Sequence, residues 1–417
     1  MTRSATPKRI ILITGLLLLA LGVLLTPATV AAVGAALGVP VNLGGGQGAA
    51  RIWLLKLIFI TMGLPLLVYR LRTITRLRWL FDLSIGLVLL VVTLLAIEGV
   101  FALLNSRRPP AAAPGLSTQF SAPYVEPDPD LGYVLKPSIW VTATQTAGDT
   151  IIYQRIYTTD ALRRRLTPVE NPTGRQQFAL FFGGSFTFGD GLPDDATLPA
   201  AFGRAAPGVM PYNYGASGYG PQHMLAQFQN WPLPAQVSQA EGVAIYTFIC
   251  PHVNRAIGSM DVINTWGSSM PYYRLEGNQL VRRGDFVSGR PVLATVYSLL
   301  GMSQTVAYFG LQIPRLTEAH YALTARIVAE AAAEFERQFG SNQFYVLLYP
   351  DSSGCAGQIQ PQLTQLGLRV LDYSTLISRE QANLWQPDGH PTAAAQQIVA
   401  GRLARDLQLS PAGAAAP

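Results

Sequence analysis

The sequence predicts an α/β domain on a parallel sheet, preceded by apolar helices suited to a membrane. Three observations carry this. From Gln177 onward, short apolar strand candidates alternate with helix candidates, the pattern of a parallel sheet covered on both faces. Three apolar segments crowd the first 104 residues. A glycine-flanked serine, in Phe181-Phe-Gly-Gly-Ser-Phe-Thr-Phe-Gly-Asp190, follows an apolar strand candidate, and Asp388-Gly-His-Pro-Thr392 precedes the last helical run. A hydroxyl, an imidazole and a carboxylate are the groups that nucleophilic acyl chemistry needs.

The apolar segments are Ile10 to about Leu37, Trp53 to about Val68, and Leu80 to Leu104. The first and third exceed the roughly 20 helical residues that span a hydrocarbon core. The second is shorter, and Lys56 in its first turn can snorkel to the interface. About three transmembrane helices are therefore expected over residues 1–104. A cleaved leader is the alternative for the first segment, with Ala28, Ala31 and Ala32 permitting cleavage. Arg3, Lys8 and Arg9 precede the first segment and Arg70, Arg72, Arg76 and Arg78 precede the third. Both sets belong on the cytoplasmic side, so everything after Leu104 is expected on the periplasmic or extracellular side; Arg107 and Arg108 are the exception. Asp82 and Glu98 lie near the ends of the third segment, as interfacial acids would.

Residues 105–121, rich in Pro, Ala and Ser, form a linker. Short strands are expected at Trp140–Thr144 and Thr150–Tyr157. Arg163, Arg164 and Arg165 read as a solvated turn or an anion clamp. Strands then follow at Gln177–Phe182, Val209–Tyr214, Val243–Ile249, Phe344–Tyr349 and Leu368–Leu371. Helices are expected at Thr197–Ala205, Pro221–Trp231, Leu316–Gln338 and Thr392–Leu407. Residues 256–314 break this rhythm with an aromatic-rich insertion, read either as a lid or substrate-facing wall or as an ordinary packed excursion. Residues 411–417 form a disordered tail. Cys250 and Cys355 each follow a strand candidate. If those strands are neighbours, a disulfide is allowed in an oxidising compartment; two free, partly buried thiols are the alternative.

The ordered blocks Gly183-Gly-Ser-Phe-Thr-Phe-Gly189, Asn213-Tyr-Gly215 and Asp388-Gly-His-Pro resemble those of the SGNH/GDSL hydrolase superfamily over about residues 130–408. The resemblance implies a flavodoxin-like three-layer α/β/α domain, here residues 122–410, and a serine esterase mechanism. Gly184 stands where that family usually has an aspartate, which is not a triad member. The acid lies two residues before the histidine rather than three. Ser185 is the candidate nucleophile, His390 the base, and Asp388 its orienting acid. The oxyanion hole is expected to combine the N–H groups of Ser185 and Gly215 with a side chain. That side chain is Asn254 or His252, because the loop Cys250-Pro-His-Val-Asn254-Arg255 departs from the family's asparagine-bearing pattern.

No cofactor is expected. No histidines or cysteines stand at metal-ligand spacing, and no phosphate loop or nucleic-acid module is present. The net charge of +6 is partly the topological signal already described. The sequence thus reads as a membrane-anchored, outward-facing serine esterase. Its expected substrate is an O-acyl ester, perhaps of a cell-surface glycan, and its surroundings are the lipid bilayer and membrane partner proteins. An O-acyltransferase with the same triad, or a non-catalytic glycan-binding or assembly module, are the alternatives.

Overall fold

The computed structural model describes residues 6–36, 46–108 and 115–408. Leu37, the expected tail at 411–417 and part of the expected linker fall outside the described residues. The chain divides into two units: Met1–Pro110 with Arg290–Ile313, and Ala111–Gly289 with Pro314–Pro417.

The first unit is helical: α1 (Thr6–Leu24), α2 (Pro27–Ala36), α3 (Gly46–Val68), α4 (Arg78–Ser106), α5 (Pro291–Leu300) and α6 (Gln304–Phe309). Among the described residues, one helix, α4, is long and apolar enough to cross a membrane. The first apolar segment is not one straight span, because its two helices meet at 97°. Pro27 removes a backbone donor there, and the Thr29 hydroxyl donates to the Leu24 carbonyl at 2.7 Å. The apolar part of α3, Ile52–Val68, is also short and contains Pro65. Of the three expected spanning helices, the structure thus presents α4, with the bent α1–α2 pair as a second only if taken as one span. Helices α1 and α3 pack closely because Gly15, Gly22 and Gly63 carry no side chain. A Cβ on Gly15 would stand 2.9 Å from Leu66 Cβ, and one on Gly63 would stand 3.0 Å from the Gly15 carbonyl. Small residues at such a seam are how helices approach without a hydrophobic driving force.

The second unit is built on five parallel strands: β1 (Gln177–Gly183), β2 (Val209–Asn213), β3 (Glu241–Phe248), β4 (Phe344–Leu348) and β5 (Arg369–Asp372). Their order is β2-β1-β3-β4-β5, the flavodoxin-like arrangement. Strand periodicity divides the core into two layers. Phe178, Leu180, Phe182, Tyr246 and Val346 face the helices Pro221–Asn230 and Glu318–Phe339. Ala179, Phe181, Val243, Ile245 and Leu347 face Leu198–Ala205 and Ala393–Leu407. The strand reversal falls at β1, so its carboxyl end is the place where such sheets bind ligands.

Cys250 and Cys355 follow the adjacent strands β3 and β4 and are joined by a disulfide. Strands Leu116–Phe120, Trp140–Ala147 and Thr150–Thr158 form a separate antiparallel sheet. Arg165 is neither part of a solvated turn nor an anion clamp. It is 1% exposed, pairs with Asp194, and donates to the carbonyls of Phe188, Gly189 and Leu192. It thereby fixes the loop that follows the serine.

Candidate active site

Ser185 opens a one-turn helix, Ser185–Phe188, directly after β1. Gly183 has φ +152°, and a Cβ there would meet Thr187 Oγ1 at 2.3 Å. Only glycine allows this reversal. The first N–H groups of a helix have no intrahelical acceptor, so the Ser185 N–H is presented outward from the turn. Ser185 itself is 6% exposed.

Gly184 makes room for charge. A Cβ on Gly184 would stand 2.5 Å from Arg255 Nη1, 3.0 Å from His252 Nε2 and 3.0 Å from the Tyr219 carbonyl. The space an aspartate side chain would need is therefore filled by a guanidinium and an imidazole. His252 and Arg255 sit three apart on the helix Pro251–Ile257, which puts them on one face. Asn254, two positions from His252, lies about 200° around that helix. Of the two alternatives for the third donor, His252 reaches the serine turn and Asn254 does not. His252 is buried, and its Nδ1 lies 2.7 Å from the Tyr246 hydroxyl. Burial drives its pKa well below the usual value, with the Arg255 charge adding to this, so the ring is neutral. Its Nε2 has no protein partner, and neither does the buried Arg255 Nε. Arg255 Nη1 donates to the Tyr219 carbonyl at 2.7 Å.

The histidine loop arrives from the other side of the sheet edge. Gly389 takes φ +86°, a left-handed turn that brings Asp388 back onto the residue two ahead. Asp388 Oδ1 accepts the His390 backbone N–H at 3.0 Å, and Oδ2 lies 3.1 Å from His390 Nδ1. Gln145, from the separate antiparallel sheet, donates to Asp388 Oδ2 at 2.7 Å. Burial alone would raise the Asp388 pKa, but the bond to His390, its charge and the Gln145 bond outweigh burial and hold it at about 2. Burial likewise lowers the His390 pKa, yet the Asp388 bond and the charges of Asp190 and Asp388 raise it overall.

Three contacts join this loop and the helix after it to the serine turn and the residues that follow it. The Phe186 and His390 rings lie 5.5 Å apart. Gln386 Nε2 donates to the Asp190 carbonyl at 2.9 Å, and Gln396 Nε2 donates to the Phe186 carbonyl at 2.9 Å. Two segments some two hundred residues apart thus meet at one sheet edge.

Gly215 does not play its expected part. Its N–H already donates to Asn213 Oδ1 at 3.0 Å, and its Cα packs against Thr187 and Phe188. Three residues on, Gly218 takes φ +83°, where a Cβ would collide with Tyr133 Oη at 2.5 Å and Trp266 Nε1 at 2.7 Å.

Asp190, Gln145, Arg255 and Gly218 carry no role in the sequence reading. Asp190 is the most consequential of them. Both its oxygens accept from Ser217 Oγ, at 2.8 and 2.9 Å, and Oδ2 lies 3.8 Å from His390 Nε2. Burial, above all, raises its pKa. Among the described residues, no cluster of His, Cys, Asp or Glu could hold a metal ion.

No family model matches the chain, and no curated protein matches it. Among solved structures it is similar to a member of the lipolytic protein G-D-S-L family from Veillonella parvula, at 14% identity over 56% of this chain and 98% of that one, TM-score 0.31. It is also similar to a catalytic mutant of an acetylxylan esterase from Geobacillus stearothermophilus, at 12% identity over 57% of this chain and 96% of that one, TM-score 0.32. A carbohydrate esterase aligns at 13% identity over 73% of this chain and 94% of that one, TM-score 0.33. These three solved structures are thus a GDSL-family lipolytic protein and two carbohydrate esterases.

Proposed function

We propose that this chain is a membrane-anchored serine esterase of the SGNH type, acting on O-acyl esters outside the membrane. The observation that carries the reading is the meeting of the Ser185 turn with the Asp388–His390 loop at the carboxyl edge of β1. Ser185 Oγ attacks the ester carbonyl while His390 Nε2 takes its proton. The imidazolium then sits between two carboxylates, Asp388 on Nδ1 and Asp190 beyond Nε2. The oxyanion is met by the N–H of Ser185 and that of Gly218 in place of Gly215. Tyr246, whose hydroxyl is held protonated by burial, donates to His252 Nδ1, which leaves the proton on Nε2 as a third donor. His390 returns its proton to the departing alcohol. Water then attacks the acyl-Ser185 carbonyl, gives its proton to His390, and releases the acid and the free serine.

An open groove of about 780 Å³, lined by Tyr153, Arg155, Leu192, Trp385 and Pro387, lies beside the Asp388–His390 loop and is the candidate place for the rest of the substrate. The arginines before α4 support an outward-facing α/β unit, and the Cys250–Cys355 disulfide fits an oxidising compartment.

A fluorophosphonate probe tests the nucleophile. The expected outcome is a single adduct on Ser185 in the full-length protein and none in Ser185→Ala. Equal labelling of a folded Ser185→Ala protein refutes the assignment.

A further inference from the structure

The chain leaves the α/β unit at Gly289, rejoins it at Pro314, and spends the residues between folded with the apolar helices. The attachment is specific. On α4, Glu98, Phe101 and Asn105 are spaced by three and four residues, so they share one helix face; Arg108 follows just beyond the helix end at Ser106. Glu98 Oε1 accepts from Ser303 Oγ at 2.6 Å and Oε2 accepts from the Gln304 N–H at 2.5 Å. The carboxylate thereby caps the start of α6, where free N–H groups favour an anion. Phe101 packs on Tyr308 and Phe309, with ring centres 5.0 and 5.3 Å away. Asn105 Nδ2 donates to the Gln304 carbonyl at 3.0 Å, and Arg108 donates to the Tyr308 carbonyl at 2.7 Å while lying over its ring.

The other side of this segment is apolar and uncovered. Helix α5 buries Ala294, Tyr297 and Ser298 and turns out Val292 at 78% exposure, with Leu293 and Val296; beyond α5, Phe309 and Leu311 are exposed at 59% and 49%. No charged residue occurs between Arg290 and Arg315. Exposed apolar side chains gathered on a short uncharged segment mark a binding face on a protein otherwise in water. Its occupant follows from what it continues: α6 packs on α4 and α5 on α3, and the apolar residues of α4 are just as exposed, among them Leu94, Val100 and Leu103. At ten and six residues, α5 and α6 are too short to cross the roughly 30 Å core. Apolar faces of that length lie in the boundary between headgroups and acyl chains. Tyr308, with arginines at either end of the segment, is the kind of side chain that settles there.

We infer that residues 290–313 are an interfacial membrane anchor. The Val292, Val296, Phe309 and Leu311 surface enters the leaflet at which α4 ends, and Glu98 latches the segment to that helix. The inference rests on α4 crossing the bilayer. It gives the α/β unit a second attachment, separated in sequence from the one through residues 109–114.

The test uses full-length protein in vesicles of phosphatidylcholine and phosphatidylglycerol. Both native cysteines are in the disulfide, so one introduced cysteine at a time can carry an environment-sensitive nitrobenzoxadiazole dye. The sites are Val292→Cys, Phe309→Cys, Val92→Cys within α4, and Glu241→Cys on the exposed start of β3. Expected are blue-shifted emission at Val292 and Phe309, strong quenching by lipids spin-labelled near the headgroup, and loss of most iodide quenching. Val92 should respond to lipids labelled near the chain end, and Glu241 to iodide alone. If Val92 responds to lipid while Val292 and Phe309 behave like Glu241, the inference is overturned and the spanning reading of α4 stands. If Val92 also behaves like Glu241, the spanning reading falls and the anchor falls with it.

Discussion

The two sides of Ser185 are built in different ways. The proton-relay side is local: Asp388 and His390 lie two residues apart on one glycine turn, and the carboxylate holds both the ring and the backbone of its partner. The oxyanion side, as proposed, draws on three distant segments: the Ser185 turn, the Gly218 turn, and the face of the helix Pro251–Ile257 that carries His252 and Arg255, of which the last stands against Gly184. A relay must keep one tautomer and one distance, which a short loop can do. An oxyanion hole needs several N–H donors converging on empty space, which no single segment can present.

The comparison is sharpest where chemistry is removed outright. Ser185→Ala and His390→Ala should each lower ester turnover by on the order of 10⁵–10⁶, and the double variant little further, because the two act as one unit. Asp388→Asn should cost about 10⁴, as its bond fixes the His390 tautomer. Steady-state kinetics on a chromogenic acetyl ester, alongside thermal melting, check these values. Additive losses in the double variant would show that the two groups do not share a proton.

The other side should break in smaller steps. His252→Phe keeps ring volume and removes a donor, so kcat should fall by about 10²–10³ with KM nearly unchanged. Asn254→Ala, on the far side of the same helix, should leave both constants intact. If Asn254→Ala proves the damaging change and His252→Phe the silent one, the oxyanion side is wrongly assembled here.

That asymmetry also explains what could be read from the sequence. The five central strands and their helices were legible because apolar runs of strand length alternate with helices at regular intervals. The turn at Ser185 and the pairing of Asp388 with His390 were legible because glycine turns and a two-residue spacing are local signals. Gly215 was misleading, although a clue was present: an asparagine commonly bonds the N–H two residues on, and Asn213 stands two before Gly215. Arg255 could have been found from its three-residue spacing to His252. Nothing local marks Gln145, because its role depends on where a separate sheet delivers it. The span 290–313 was read through its aromatic residues as a lid, a wall or a packed excursion. The absence of charge between Arg290 and Arg315 is the property on which the interfacial-anchor inference rests.

Asp190 connects the two sides and gives the subtler test. Its charge raises the His390 pKa along with that of Asp388, and Ser217, from the chain leading to Gly218, binds it. The base must be neutral to accept the Ser185 proton, so kcat/KM falls as pH drops through the His390 pKa. That pKa is raised, which puts the acid limb above the usual value of about 6.5. Asp190→Asn removes one of the charges stabilising the imidazolium. The His390 pKa should then fall, the acid limb should move to lower pH, and the plateau should change far less than in His252→Phe. A limb that stays in place, in a variant with wild-type melting, would mean that Asp190 acts only by holding Ser217.

Gln145→Leu should have the smallest effect. It removes one of the bonds that keep the Asp388 carboxylate ionised, and a hydrogen bond to a charged group contributes about 1.5–3 kcal/mol. The backbone bond from His390 and the 3.1 Å contact of its Nδ1 remain, so orientation of the ring persists and turnover should drop by about tenfold at most, which corresponds to about 1.4 kcal/mol. The Asp388 pKa should rise from about 2 toward the ordinary carboxylate value. In the wild type, the stability contributed by this group is present above the unfolded carboxylate pKa of about 3.9 and is lost as pH falls toward the folded value. The variant should lose it at a higher pH, which acid-unfolding curves of the two proteins would reveal. Coincident curves would place the ionised state of Asp388 under the control of His390 alone, and the relay side would then be more local still.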